Sequence, residues 1–413
     1  MLMDDLATFN GKTVLVFGGD GFIGSNFIRA LFKASPNVKV INGDARTYSG
    51  NPNNLADIRA RYQASDNDTG QLYELHGSIA DPEFVKACFG SKPDYVINFA
   101  AETHVDRSIH VGAKEFIDTN VTGVFNILEA VKAAKDTLNP VERYVQVSTD
   151  EVYGQLPNPH DAVRNAEECT GFGTDCVDKL TKKHYHVGKG KVAMTEKQIV
   201  DNVMEKKFTE ETPFKPNVPY SATKAGGDAL CNAYYHTWGV PVCVTHCSNN
   251  YGPYQYPEKM IPFWAMCLLN GGTIPVYGDG LNIRDWIHVE DHITALGAVL
   301  ARGKDGETYN VGADNERTNL EMVGFMAQIL TPGKAAKVEY VKDRPGHDRR
   351  YAIDHSKITR ELGWTPKIGP DEFPAALKET LEWYATNTAW TAEVIERTGV
   401  ANPHIDLWKA HNL

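Results

Sequence analysis

Along the first hundred residues the apolar positions switch between two periods. Lys12 to Phe17 is a short, nearly continuous apolar run, as in a buried strand, whereas Phe22 to Lys33 carries its apolar residues at helical spacing. A second run, Val38 to Asn42, completes a βαβ unit. Strand-like runs recur at Tyr95 to Ala100, Arg143 to Ser148 and Val242 to His246, and helical patterns run over about Ala113 to Ala134 and Ser221 to Trp238. Such alternation predicts an α/β fold with a doubly wound parallel sheet of the Rossmann type, covered by helices on both faces. After about Asn250, Pro and Gly break the pattern, so a smaller C-terminal substrate-binding domain is expected. The expected layout is a first domain over 10–250, a second over 251–388 with a segment near 285–300 returning to the first, and a C-terminal extension over 389–413.

The turn Gly18-Gly-Asp-Gly-Phe-Ile-Gly24 sits between the first strand and the first helix. With Gly18, Gly21 and Gly24 there, backbone N–H groups at the helix start can approach a pyrophosphate with no Cβ in the way. Asp44 follows the last glycine by 20 positions, at the end of the second strand. A carboxylate there accepts hydrogen bonds from ribose hydroxyls and repels a 2′-phosphate, which favours NAD over NADP. Arg46, two residues on, is the one nearby group suited to a 2′-phosphate.

Charge and composition narrow the partners. A net charge of -11 argues against nucleic acid, which needs a basic surface. No run of 18 apolar residues occurs, so no membrane span is expected. The start of the chain lacks a basic region before an apolar stretch, and the seven scattered cysteines read as reduced thiols; a cytoplasmic location follows as the expectation.

Two further segments carry chemistry. Tyr220 and Lys224, in Tyr220-Ser-Ala-Thr-Lys224, are four apart and share a helix face. The ammonium would favour phenolate, making Tyr220 a base for a hydroxyl proton, and would also reach the nicotinamide ribose. The run Ser148-Thr-Asp-Glu-Val-Tyr-Gly154 adds Thr149, Asp150 and Glu151. Oxidation of an alcohol needs only nicotinamide and tyrosine, so the adjacent acid and base imply a second step, elimination of water from the oxidised substrate. Alone, such a carboxyl pair more often caps a loop at a strand end.

Together with Thr47-Tyr-Ser-Gly-Asn51, Phe99-Ala-Ala-Glu-Thr-His-Val-Asp-Arg-Ser108, Cys247-Ser-Asn-Asn-Tyr-Gly-Pro-Tyr-Gln-Tyr-Pro-Glu-Lys259, Arg284-Asp-Trp286, Asn315-Glu-Arg-Thr-Asn319 and Asp343-Arg-Pro-Gly-His-Asp-Arg-Arg350, these segments occur in a telling order. The chain resembles the extended short-chain dehydrogenases and, among them, the dTDP-glucose 4,6-dehydratases, over about residues 12–154 and 209–388. The resemblance implies C4 oxidation by Tyr220, proton removal at C5 by Glu151, proton delivery to the C6 hydroxyl by Asp150, and Thr149 holding the C4 oxygen. It adds Phe22, Ile23, Ser78 and Ile79 to the cofactor site, with Ala100, Ala101, Thr119 and Asn250. It implies a nucleotide-sugar groove with Arg284, Asn249 and Asn319 at the diphosphate, Lys259, Pro275 and Tyr277 at base and ribose, and Thr103 near the sugar. The segment 343–350 should lie close to the nucleotide. A homodimer through the helices at 113–134 and 221–238 is also implied.

Three departures from the family pattern stand out. Asp20 replaces a small residue and should weaken anion binding unless it is turned away or neutralised. Ser78 stands where an aspartate commonly faces the adenine. The stretch from about Gln155 to Lys207 is longer than its counterpart, and from Lys179 to Lys207 holds eight lysines against two glutamates and one aspartate. A loosely ordered surface insertion is expected there; its Cys169, Cys176, His184 and His186 lack zinc-ribbon spacing, so no metal site is expected. UDP-glucose as substrate, a nucleotide-sugar 4-epimerase, and a non-catalytic NAD-binding sensor or assembly subunit remain as alternatives.

Overall fold

Seven strands form one parallel sheet: β1 (Thr13–Phe17), β2 (Lys39–Asp44), β3 (Leu72–His76), β4 (Tyr95–Asn98), β5 (Arg143–Thr149), β6 (Val242–Cys247) and β7 (Thr308–Val311). They lie in the order β7-β6-β5-β4-β1-β2-β3. The chain thus winds outward in one direction from β1 and in the other from β4, and the crevice at their C-terminal ends is where such sheets bind ligands. The structure is a computed structural model and describes residues 4–63, 70–168, 176–177, 184–185 and 196–398.

Helices Phe22–Ala34 and Val289–Arg302 cover one face, where Val14, Val16, Phe27, Leu31 and Leu296 are fully buried. Helices Val124–Lys135 and Pro219–Trp238 cover the other, over Leu15, Phe17, Val96 and Tyr144. Central strands buried on both sides need continuous apolar runs, which is why they were legible. Two strands were not. β3 is an edge with a half-exposed second half, and β7 is four residues long, too short to show a period.

The helical stretch expected over 113–134 is interrupted. It runs as Lys114–Ile117, a π-helical turn Asp118–Gly123, and Val124–Lys135. Asn120 causes the widening to be worth its cost: its side chain accepts from Glu102 N and donates to Glu102 O and Thr223 Oγ1, each at 3.0 Å. The neighbouring long helix fits against this turn because it presents Gly227, where a Cβ would stand 2.6 Å from Asn120 O.

Beyond residue 250 a third apolar cluster gathers Trp264, Met322, Met326 and Leu377 under helices Met260–Leu269, Asn319–Leu330 and Phe373–Thr386. The chain returns to the first sheet through helix Val289–Arg302 and onward to β7, further than the 285–300 read from sequence. The two insertion helices, Pro159–Glu168 and Glu196–Met204, are not loose: Ala162, Ile199 and Val203 form a small core between them. Arg349 grips Asp161 at 2.8 and 2.9 Å, and the fully buried Arg350 donates to the carbonyls of Val203, Met204 and Lys206. Cys169, Cys176, His184 and His186 fall outside the residues whose side chains are described, as do Leu407 and Trp408 of the tail.

Candidate active site

A cavity of about 430 Å³ opens at the crevice between β1 and β4 and continues between the two parts of the chain. Its floor is the glycine turn, with Gly18, Gly21, Phe22, Ile23 and Gly24 on the wall. Gly18 has φ +78°, and a Cβ on it would meet Ala100 N at 2.5 Å; one on Gly24 would meet Gly18 O at 2.2 Å. Only glycine lets strand, turn and helix close this tightly, which leaves a backbone cradle at the start of helix Phe22–Ala34 suited to a pyrophosphate. Ala101 and Asn250 also reach the cavity, and Asn250 is oriented by His292 Nδ1 at 2.9 Å from its Oδ1.

Other expected cofactor residues stand behind that wall. Asp44 accepts from Asp20 N at 2.9 Å and Arg46 N at 2.6 Å, and burial, reinforced by the Asp20 charge, raises its pKa to about 6. Ala100 packs its backbone on Gly18, Ile79 packs on Gly123, and Thr119 lies in the π-helical turn. Ser78 Oγ accepts from Ala80 N at 3.2 Å. Of these, Ala100 packs directly on the glycine turn, and none of the five is among the residues that line the cavity.

Across the cavity, β5 ends at Thr149 and the chain enters the tight turn Asp150–Tyr153. Thr149 caps this turn: its hydroxyl accepts from Glu151 N and donates to Asp150 Oδ1, both at 3.3 Å. Helix Pro219–Trp238 brings Tyr220 and Lys224 to the same place, so Thr149, Glu151, Tyr220 and Lys224 share one wall. Thr149 is in hydrogen-bond reach of the Tyr220 phenol, and the charges of Glu151 and Asp150 both bear on it.

The two carboxyls differ in surroundings. Asp150 is 2% exposed, and its Oδ2 has no hydrogen-bond partner among the described residues. Burial, then Glu151 and Asp285, push its pKa well above the ordinary carboxylate value, which favours the neutral form. Burial also raises Glu151, but Arg344, Arg284 and Lys259 oppose the rise. Two adjacent carboxyls in unlike surroundings are the setting in which pKa values separate. The expected activation of Tyr220 by Lys224 is not what the structure has: burial first, then Glu151, raises the phenol pKa well above 10.0, and Lys224 Nζ donates to Val147 O at 2.8 Å. The spacing put both residues on one face, but backbone packing decided where the ammonium points.

The cavity is also lined by Thr103, Asn249, Lys259, Pro275, Tyr277, Arg284 and Asn319, the residues expected at the substrate. Arg284 is held in place: it donates to Ile283 O at 2.8 Å and Asp348 O at 2.9 Å and stacks 4.3 Å over the Tyr351 ring. Lys259 Nζ donates to Thr103 O at 3.2 Å. Residue-level reading missed Arg344 and His347, which also line the cavity. They lie in the quoted 343–350 segment, but with three arginines there the sequence had no means to say which one faces inward. It likewise missed His104 and Glu258, a buried pair 3.5 Å apart that also lines the cavity.

Comparison with known proteins agrees with this geometry. The GDP-mannose 4,6 dehydratase family model matches residues 15–170 and 202–376. The dTDP-glucose 4,6-dehydratase of Xanthomonas campestris pv. campestris (strain B100) is 42% identical over 397 residues, covering 93% of this chain and 96% of its own. The dTDP-glucose 4,6-dehydratase of Bacillus anthracis str. Ames in complex with NAD superposes with a TM-score of 0.71 at 40% identity, covering 93% of this chain and 99% of that one. That of Streptomyces venezuelae, with NAD and TYD bound, gives 0.73 at 38%, covering 92% and 99%. The glycine cradle, the Thr-Asp-Glu turn facing Tyr220 and this likeness over nearly the whole length agree: the chain belongs to the dTDP-glucose 4,6-dehydratase family.

Proposed function

We propose that this protein converts dTDP-glucose to dTDP-4-keto-6-deoxyglucose and water, a hydro-lyase reaction with NAD recycled within each turnover. The observation that carries the reading is the meeting of Thr149, Glu151, Tyr220 and Lys224 at one cavity, with Asp150 buried beside Glu151 in the same turn. A bound NAD would supply the hydride acceptor for C4 and, once reduced, the hydride donor for C6. Gly18, Gly21 and Gly24 would hold its pyrophosphate, and Asp44 its adenosine ribose. Tyr220 would take the C4 hydroxyl proton as its phenolate, a form that burial and Glu151 oppose and that a positively charged nicotinamide beside it would favour, with Thr149 holding that oxygen in register. The 4-ketone acidifies C5, where Glu151 removes the proton. Asp150 protonates the C6 hydroxyl, which leaves as water, and Glu151 then gives its proton back to C5. Arg284 and Arg344 supply cationic groups at the nucleotide end, where a diphosphate needs them.

Ile117, Phe125 and Trp238 expose 48%, 42% and 45% of their surfaces on the helices beside β4 and β5, and this supports a homodimer through that face. Free thiols at Cys88, Cys231, Cys243, Cys247 and Cys267 fit a reducing, cytoplasmic compartment. No helix among the described residues is long and apolar enough to cross a membrane.

The test is incubation with dTDP-glucose, UDP-glucose, CDP-glucose and GDP-mannose, followed by mass spectrometry. Loss of water from dTDP-glucose, with a C4 deuterium recovered at C6, is the expected result. A C4 epimer without loss of water, or no reaction with any of the four, would overturn it.

A further inference from the structure

The departure at Asp20 has a partner the sequence did not reveal. Asp20 sits inside the pyrophosphate turn, and its side chain is fully buried. Its Oδ2 accepts from Arg46 Nε at 2.7 Å, and its Oδ1 accepts from Arg59 Nη2 at 2.9 Å and Asn42 Nδ2 at 3.1 Å. Both guanidinium groups continue to Glu74, Arg46 at 3.3 Å and Arg59 at 2.7 Å. The backbone of Asp20 is tied in as well, donating to Asp44 and accepting from Asn51 N and Asn54 Nδ2, each at 2.9 Å. Asp44 is the carboxylate expected at the ribose, and Arg46 begins beside it, donating its own N–H to Asp44 Oδ1 from a left-handed backbone with φ +49°.

Arg46 therefore starts where a 2′-phosphate of NADP would need a cationic fork, yet its side chain turns back to Asp20 and Glu74. A carboxylate in the turn should repel the pyrophosphate, but here two guanidinium groups compensate it. We propose that Asp20 is a positioning residue that sets cofactor preference: it withholds Arg46 and Arg59 from a 2′-phosphate, and they in turn make its own charge tolerable beside the pyrophosphate. This rests on reading the turn as a dinucleotide site. Asp44 remains in place beside Arg46 as a negative charge, so removing Asp20 shifts the preference without fully reversing it.

Dissociation constants for NAD and NADP, measured by calorimetry on the purified protein, test the idea without reference to turnover. In wild type NAD binds more tightly. Asp20→Ala releases the Arg46 fork and raises the ratio of NADP to NAD affinity at least tenfold; adding Arg46→Ala to that variant returns the ratio to near wild type. If Asp20→Ala fails to fold, Asp20→Asn, which keeps the shape and removes the charge, is read by the same ratio. A ratio unchanged within twofold in the folded variant, while wild type binds NAD, overturns the role of Asp20 and leaves the dinucleotide site standing. Wild type that binds neither dinucleotide overturns the site itself, and this inference with it.

Discussion

Glu151 and Asp150 are chemically near-identical neighbours with different work, and surroundings make the difference. Asp150 points into the protein with one oxygen unpartnered; Glu151 faces Arg344, Arg284 and Lys259. Glu151→Gln should lower kcat by roughly 10²–10⁴-fold while leaving dTDP affinity unchanged, because it removes proton transfer and not a nucleotide contact; stopped-flow kinetics and calorimetry separate the two. Asp44 carries a pH signature. Its folded pKa of about 6 lies above the ordinary 3.8, so the fold holds the proton more tightly than the unfolded chain does. This group's contribution to stability is complete below 3.8 and is lost as pH rises through about 6. Under the proposed role of Asp44 at the ribose, cofactor binding runs the other way, since the charged carboxylate is the better acceptor. NAD affinity should therefore fall as pH drops below about 6, and Asp44→Asn should flatten that dependence in titrations between acid and neutral pH. The residue types behind both predictions were legible in the sequence. Their ionisation was not, because it depends on burial and on charges from distant segments.

At the scale of elements, the contact between helix Pro219–Trp238 and the π-helical turn Asp118–Gly123 positions Tyr220 and Lys224. Gly227→Ala would drive a Cβ onto the Asn120 carbonyl, at a cost of about 1–3 kcal/mol, read as a lower melting temperature. The 343–350 segment shows what a motif leaves open. Arg344 lines the cavity 3.5 Å from Asp106, Arg349 grips Asp161 and Asp279, and Arg350 is buried against Glu316 and the end of helix Glu196–Met204. Arg350→Met would strand the Glu316 carboxylate and those carbonyls, with a loss of about 3–5 kcal/mol. Hydrogen exchange over residues 196–204 should rise first, while NAD affinity holds. Three arginines within seven positions thus meet three fates, set by which elements pack beside each.

For the whole molecule, the exposed Phe125 and Trp238 make oligomeric state a direct test of the dimer proposal. Phe125→Glu with Trp238→Glu should halve the mass seen by light scattering while retaining NAD binding. The βαβ start, the central strands, the glycine turn and the proximity of Tyr220 to Lys224 were all determined by sequence alone, since hydrophobic period, chain reach and the absence of a Cβ are local properties. The π-helical widening at Asn120, the edge strand β3, the short β7 and the neutralisation of Asp20 by Arg46 and Arg59 were decided only by the tertiary structure. Each depends on a partner 18 or more positions away or on place within the sheet, and pairing at that distance is settled by packing, hydrogen bonding and charge compensation that no local pattern encodes.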